Sequence, residues 1–123
     1  MECHVKIEPA YIRVDVVNRE TAEETGQFIG AILAALREHR IPKVLLVLRK
    51  SRAIFKVGQY NLIDAFKAGA LIPGLRIAHV SDSPELQASQ DYIALLGRQH
   101  GIASRAFKDE DAALSWLLSS EPA

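Results

Sequence analysis

The sequence predicts an α/β fold in which an N-terminal β-hairpin precedes alternating helices and mostly parallel strands, about five strands and four helices in all. Three observations support this prediction. Apolar residues alternate along the first segments, as in half-buried strands. The apolar run from Val44 to Leu48 lacks polar alternation, which is typical of a strand covered on both faces. Helix start signals and glycine or proline breaks then recur between apolar segments.

The first predicted elements are a hairpin and a long helix. Two alternating segments flank the turn signal Glu8-Pro9-Ala10. The apolar residues that share a face are Val5 and Ile7 in the first segment, and Ile12, Val14 and Val16 in the second. The helix begins at the capping box Thr21 to Glu24 and ends before Pro42.

Small residues recur along one side of this helix at Gly26, Gly30 and Ala34. In a membrane such spacing favours helix dimerisation, but the neighbouring Glu23 and Glu24 exclude a lipid span. We therefore expect close packing of another backbone against these residues.

The second half of the chain alternates strands and helices almost without loops. Val44 to Leu48 is the predicted central strand. A cationic loop follows it, and then a helix with Leu62, Ile63, Phe66 and Ala70 on one face. The next elements are a strand from Leu75 to Val80 and a helix that starts at Ser83-Pro84. A strand from Ile102 to Phe107 and a terminal helix capped by Asp109 complete the chain.

The order of these elements predicts how the sheet is covered. Right-handed crossovers that always advance in one direction place their helices on the same side of a sheet. The other face then needs cover. Either the hairpin and the terminal helix supply it, or an apolar surface remains for a ligand, a membrane or a second subunit.

Length and composition limit the classes of function. The 123 residues suit a single domain, residues 1–120, with 121–123 as a short tail. Fifteen cationic and fifteen anionic side chains cancel, so no nucleic-acid partner is predicted. The single cysteine, Cys3, favours a reducing compartment. Without a signal sequence or a long apolar segment, the chain is predicted to be cytoplasmic and to lack a transmembrane segment.

The main candidate site is the joint between the central strand and the next helix. There the free N–H groups of a helix start would favour an anion, and apolar residues between the cations would suit an acidic membrane surface. The opposing interpretation is a solvated loop whose arginines pair with carboxylates. The residues of this joint are Arg49, Lys50, Arg52, Phe55, Lys56, Gly58 and Tyr60.

A second group of candidates follows the next strand, at Ser81, Asp82 and Ser83. Ligands bind beyond the carboxyl ends of parallel strands, so these residues complete the predicted ligand-binding site. A rival hypothesis is a small hydrolase that uses His79, Ser81 and Asp82. Neighbouring strand residues point to opposite faces and G-x-S-x-G is absent, so a structural helix start with a half-buried histidine is favoured.

No catalytic residue, metal ligand or cofactor is predicted. The four histidines lack the spacing of metal ligands, and the phosphate-loop and dinucleotide fingerprints are missing. The chain is therefore expected not to be an enzyme.

Several short motifs are spread over nearly the whole chain. The most distinctive is the closing Arg105-Ala106-Phe107-Lys108-Asp109-Glu110 with the helix Ala113-Leu114-Ser115-Trp116-Leu117. The others are Leu46-Val47-Leu48-Arg49, Ala53-Ile54-Phe55-Lys56, Pro73-Gly74-Leu75-Arg76-Ile77-Ala78 and Asp91-Tyr92-Ile93-Ala94-Leu95. Together these motifs resemble the STAS-like, or SpoIIAA-like, family of small bacterial proteins.

This resemblance implies a SpoIIAA-like (βα) superhelix, as in the STAS domains of anti-anti-sigma factors and anion transporters, with further similarity to the lipid-binding CRAL-TRIO fold. One departure matters. Anti-anti-sigma factors carry D-S-S-G with a phosphorylated serine where this chain has Lys56-Val57-Gly58-Gln59. A switch that adds close to two negative charges at a helix start is therefore not expected.

The function expected from the residues and the resemblance is a non-enzymatic binding or regulatory module. Its ligand would be a small anionic or lipid-like, amphipathic molecule, or it would associate peripherally with the inner membrane surface. The alternative is a homotypic protein interaction domain, in which the uncovered sheet face or the first helix binds a protein partner or forms a homodimer.

Overall fold

The structure is a computed structural model that describes residues 1–54 and 62–119. Its elements in chain order are β1 (Glu2–Ile7), β2 (Ile12–Val17), α1 (Ala22–His39), β3 (Lys43–Arg49), α2 (Leu62–Ala70), β4 (Arg76–Ser81), α3 (Pro84–Gln99), β5 (Ala103–Phe107) and α4 (Glu110–Leu117). The predicted α/β fold, with its hairpin and alternating elements, is confirmed. The predicted tail at 121–123 lies outside the described residues.

The five strands form one sheet in which spatial order follows chain order, β1-β2-β3-β4-β5. β1 runs antiparallel to β2, and the remaining neighbours pair in parallel. β3 is the central strand, as its uninterrupted apolar sequence predicted. All five residues from Val44 to Leu48 are at most 5% exposed.

Each face of the sheet has its own apolar core. Val44, Leu46 and Leu48 belong to the larger core, which includes buried residues of α1, α2 and α3. Leu45 and Val47 face the other way, into a smaller core that includes Ala113 and Leu117 of α4. The prediction that the hairpin and the terminal helix cover the second face is therefore met by the terminal helix alone among the described elements, because the hairpin strands extend the sheet itself.

Three of the four described helices begin with a side-chain cap at the residue that the sequence predicted. The Glu24 N–H donates to Thr21 Oγ1 at 3.1 Å, and Glu24 Oε1 accepts from the Thr21 N–H at 3.1 Å, which completes the capping box of α1. Ser83 caps α3 and Asp109 caps α4 in the same way. These caps satisfy main-chain N–H groups that have no partner inside a helix.

The expectation of close packing at the small residues of α1 is wrong. Gly26, Gly30 and Ala34 are all exposed, and a Cβ added at either glycine would meet nothing within 4 Å. Close approaches occur instead in α2 and α3. A Cβ on Gly69 would lie 2.9 Å from Ile102 Cδ1, and a Cβ on Gly97 would lie 3.3 Å from Ser104 Cβ. The buried side of α1 is formed by larger side chains such as Phe28 and Ile32.

The environments of Gly30 and Gly97 predict different effects of alanine substitution on the free energy of unfolding. Gly30→Ala should raise the free energy of unfolding by about 1 kcal/mol, because alanine favours the helix and nothing obstructs its methyl group. Gly97→Ala should gain less or lose stability, since Ser104 would have to move. Urea unfolding of the two single variants measures both values, and equal gains would contradict this description of the packing.

Candidate functional site

Arg49, the first cation of the predicted joint, lies on the α4 side of the sheet within a network of ion pairs. Its guanidinium is 3.2 Å from the Asp15 carboxylate and 3.4 Å from that of Glu110. Arg13 contacts the same two carboxylates. This arrangement matches the opposing interpretation for Arg49, namely pairing with nearby carboxylates.

The network shifts the pKa of two of its members. Burial raises the pKa of Asp15, but hydrogen bonds and charges from Arg13 and Arg49 outweigh it, so the pKa lies below its usual value. Hydrogen bonds to Glu110 and Asp15 raise the pKa of Arg13. Both shifts favour the charged forms of Asp15 and Arg13. The ion pairs of the network tie the start of α4 to β2 and β3.

The loop after β3 is held mainly through its main chain. Lys50 has a left-handed φ of 49°, and its N–H donates to Asp82 Oδ2 at 3.0 Å. Ser51 Oγ accepts from the Arg19 N–H at 3.1 Å and donates to the Arg49 carbonyl at 2.9 Å. The Arg52 N–H donates to the Arg19 carbonyl at 2.9 Å. The side chains of Lys50 and Arg52 remain exposed at the carboxyl end of β3.

The other predicted site residues that the structure describes are Ser81, Asp82 and Ser83, and their side chains form hydrogen bonds within the fold. Ser81 Oγ donates to Gln87 Oε1 at 3.3 Å, and Ser83 caps α3 by accepting from the Leu86 N–H at 3.2 Å. Asp82 holds Lys50, so the structure brings the two predicted groups together at this contact. Four more predicted residues lie outside the described residues: Phe55, Lys56, Gly58 and Tyr60.

The structure does not assemble His79, Ser81 and Asp82 into a catalytic group. His79 is 6% exposed, so it is buried rather than half-buried as predicted, and its Nε2 lies 2.9 Å from Ser104 Oγ. Ser81 and Asp82 make the contacts given above. The described geometry therefore gives the hydrolase hypothesis no support.

An apolar cavity of about 100 Å³ lies between the sheet and the three helices α1, α2 and α3. Sequence reasoning missed it because periodicity identifies buried faces and not the gaps between them. Four of its described lining residues carry polar side chains, Arg19, Thr25, His79 and Gln90. The other described lining residues are Phe28, Ile29, Ile32, Leu33, Leu36, Leu46, Leu48, Ile54, Leu62, Ala65, Phe66, Gly69, Leu75, Ile77, Ile93 and Ile102.

Arg19 is the buried cation of this cavity, with only 1% of its surface exposed. Its Nη2 donates to the Arg52 carbonyl, so the guanidinium reaches from the end of β2 to the loop after β3. No local pattern indicated that Arg19 would be buried, because an arginine between a strand and a capping box also suits a solvated turn. Arg19 is thus the main site residue that sequence reasoning missed.

His79 supplies a second buried polar group to the cavity. Its Nδ1 has no hydrogen-bond partner among residues 1–54 and 62–119. Burial, together with the charge of Arg98, lowers the pKa of His79 to about 4, so the imidazole is neutral at pH 7. A neutral ring can offer either a donor or an acceptor at Nδ1, depending on its tautomer.

The described residues on both sides of residues 55–61 lie at the cavity. Ile54 and Leu62 flank this segment, and both line the cavity. Ser89 of α3 fixes Ile54 from both sides, since its Oγ accepts from the Ile54 N–H at 2.7 Å and donates to the Ile54 carbonyl at 2.8 Å. The described part of the loop after β3 therefore ends at the cavity.

Comparisons of the chain with protein-family models, curated proteins and solved structures found no match. Among the described residues, no group of three or more histidine, cysteine, aspartate and glutamate side chains is placed to hold a metal ion. None of the described helices has both the length and the hydropathy needed to span a bilayer.

The buried histidine predicts a loss of stability in mild acid. Unfolded His79 titrates near pH 6.5 and the folded form near pH 4, so between these values the unfolded chain binds more protons. The free energy of unfolding should therefore fall by about 3 kcal/mol as the pH drops through this window. Urea unfolding between pH 7 and pH 4.5 measures most of this loss.

His79→Gln should flatten this dependence, because glutamine does not titrate. His39→Gln, a change at an exposed histidine, is the matched control and should keep the slope of the original protein. A slope that His79→Gln leaves unchanged would show that other groups cause the loss of stability in acid.

Proposed function

We propose that the chain is a non-enzymatic binding module of the STAS-like type whose ligand is amphipathic and anionic. The apolar part of the ligand occupies the cavity under α1, α2 and α3, and its anionic group lies at Arg19. The observation that carries this proposal is a buried arginine in the lining of an otherwise mostly apolar cavity.

The cavity suits a short hydrocarbon segment. Its volume of about 100 Å³ is of the same order as the roughly 150 Å³ apolar cavities that stay dry and bind benzene. Removing each methylene group from water contributes about 0.8 kcal/mol, so a segment of roughly four carbons gains about 3 kcal/mol.

The charge near the cavity favours an anion. A guanidinium in surroundings of low dielectric constant attracts a carboxylate or phosphate more strongly than one in water, and its planar donors match both groups. The exposed cations Lys50 and Arg52 lie in the adjoining loop and add positive potential at the same end of the sheet. This end is also where open α/β sheets bind ligands.

The proposal revises the predicted site. Arg49 is engaged on the opposite face, so Arg19 takes the role of the buried anion partner, while Lys50 and Arg52 remain as outer cations. A ligand of this class can be free in solution or can belong to a membrane lipid, and peripheral association with an acidic membrane surface follows in the second case.

Octanoate is the probe for this proposal, because it joins a short hydrocarbon chain to a carboxylate. It should raise the melting temperature by roughly 5 °C at a tenfold excess over its Kd, which corresponds to about 1.4 kcal/mol. 1-Octanol should stabilise the protein less, and octylamine should not stabilise it. Arg19→Gln should abolish the preference for octanoate over 1-octanol.

A pair of variants in α2 tests the location. Ala65→Leu fills the cavity and should weaken octanoate binding at least tenfold, whereas Ala70→Leu adds the same side chain at an exposed position and should not. If octanoate gives no shift, or if Ala65→Leu binds it as the original protein does, the cavity is not the ligand site. Vesicles with and without acidic lipid then distinguish a membrane source from a free ligand.

A further inference from the structure

We propose that a second copy of this chain pairs with the outer edge of β1, so that two five-stranded sheets join across a two-fold axis into one continuous sheet. The inference goes beyond the proposed ligand function. It concerns the edge of the sheet, a surface not considered in the predicted alternative of dimerisation through a sheet face or the first helix.

β1 is an open and regular edge. It is the first strand of the sheet, and among the described residues it pairs with β2 alone. The pairing is continuous from Glu2 to Ile7 without a bulge, and the strand contains no proline. Long regular edges are usually blunted or covered in monomers. At the opposite edge, Arg98 reaches over β5 and donates to the Ser104 carbonyl at 2.7 Å.

The ladder with β2 shows which main-chain groups of β1 face outward. The Glu8 N–H donates to the Tyr11 carbonyl at 2.9 Å, one step beyond the pair formed by Ile7 and Ile12. Hydrogen-bonded and non-hydrogen-bonded pairs alternate in antiparallel sheets. Cys3, Val5 and Ile7 therefore turn their N–H and carbonyl groups away from β2, toward the open edge.

The same residues place an apolar row along this edge. Val5 and Ile7 are 39% and 38% exposed, on the face of the sheet that α1 covers. Cys3 is partly buried against the larger core on this face. An added strand would extend this core across the junction, because residues directly opposite in neighbouring strands lie on the same face.

Charge selects one register for two antiparallel copies of β1. With His4 opposite His4 of the second copy, Glu2 lies opposite Lys6 of the second copy at both ends of the junction, and Cys3 lies opposite Val5. Shifting the register by two residues in one direction places Glu2 opposite Glu8 and His4 opposite Lys6. Shifting it in the other direction places Glu2 opposite His4 and leaves Lys6 opposite no residue of the second β1, so both shifts remove the attraction between Glu2 and Lys6. Opposite charges in facing positions favour pairing, and like charges oppose it.

The first helix fits beside this junction. The Met1 ammonium lies 3.0 Å from the Glu24 carboxylate, which shows the side of α1 that faces β1. Ala31, two helical turns further on, lies on that side. With about 3.3 Å per strand residue and 1.5 Å per helix residue, Ala31 is roughly level with His4. The small alanine leaves room for the second α1 near the axis.

The spacing of the two helices also suits direct packing. α1 contacts both β1 and β2, and adjacent strands lie about 4.8 Å apart. The two-fold axis therefore places the α1 helices about 10 Å apart, close to the 8–10 Å at which helices normally pack.

Sedimentation equilibrium of the full chain, with no residues added before Met1, tests the proposal. At about 0.1 mM protein, a dimer with a Kd in the micromolar range is mostly assembled. Glu2→Lys places lysine opposite lysine, and Lys6→Glu places glutamate opposite glutamate, so each single variant should weaken the dimer at least tenfold. Both residues are exposed, and circular dichroism should show unchanged folding.

Mixing the two single variants is the decisive measurement. A Glu2→Lys chain facing a Lys6→Glu chain restores opposite charges at both ends, so the mixture should form a heterodimer that neither variant forms alone. The double variant carrying both changes should again form a homodimer. A monomer at 0.1 mM overturns the proposal, as do single variants that dimerise normally or a mixture that stays monomeric.

Discussion

The constraint on which the structure depends is that β3 must be covered on both faces. Its five consecutive apolar residues leave no side suited to water. The chain adds β3, β4 and β5 in order, which places the intervening helices on one face. Among residues 1–54 and 62–119, the helix that covers the opposite face is α4, which has eight residues. The ion pairs of Arg13 and Arg49 with Glu110 hold the first turn of that helix against β2 and β3.

This constraint also divides the arginines into two groups with different roles. Alternation along β3 directs Arg49 to the α4 face, where carboxylates neutralise it. Arg19 leaves the end of β2 on the other side and lies in the wall of the cavity. The main chains of the two residues are neighbours in the fold, since Ser51 Oγ accepts from the Arg19 N–H and donates to the Arg49 carbonyl. Arg49 and Arg19 thus lie on opposite faces of the sheet, where Arg49 has a structural role and Arg19 is a candidate ligand-binding residue.

The fold could be predicted from the sequence because local signals agreed with one another. The capping box at Thr21, the cap at Ser83 and the apolar run of β3 each fixed an element directly. The failures concerned contacts between elements. Spacing placed Gly26 and Gly30 on one side of a helix but did not show that this side faces open space, and no local pattern showed that Arg19 would be buried. The exposure of Gly26 and Gly30 depends on how α1 is rotated against the sheet, and the burial of Arg19 depends on how the segments after β2 and β3 pack together.

α1 links the two proposed sites, because different sides of it serve each one. Ile29 and Leu33 line the cavity, whereas Glu24, on another side of the helix, forms an ion pair with the Met1 ammonium beside β1. A ligand in the cavity and a second copy at the edge would therefore contact the same rigid helix from two directions. If ligand binding shifts α1, it changes the affinity of the edge for a second copy, and dimer formation must change the affinity for ligand by the same factor.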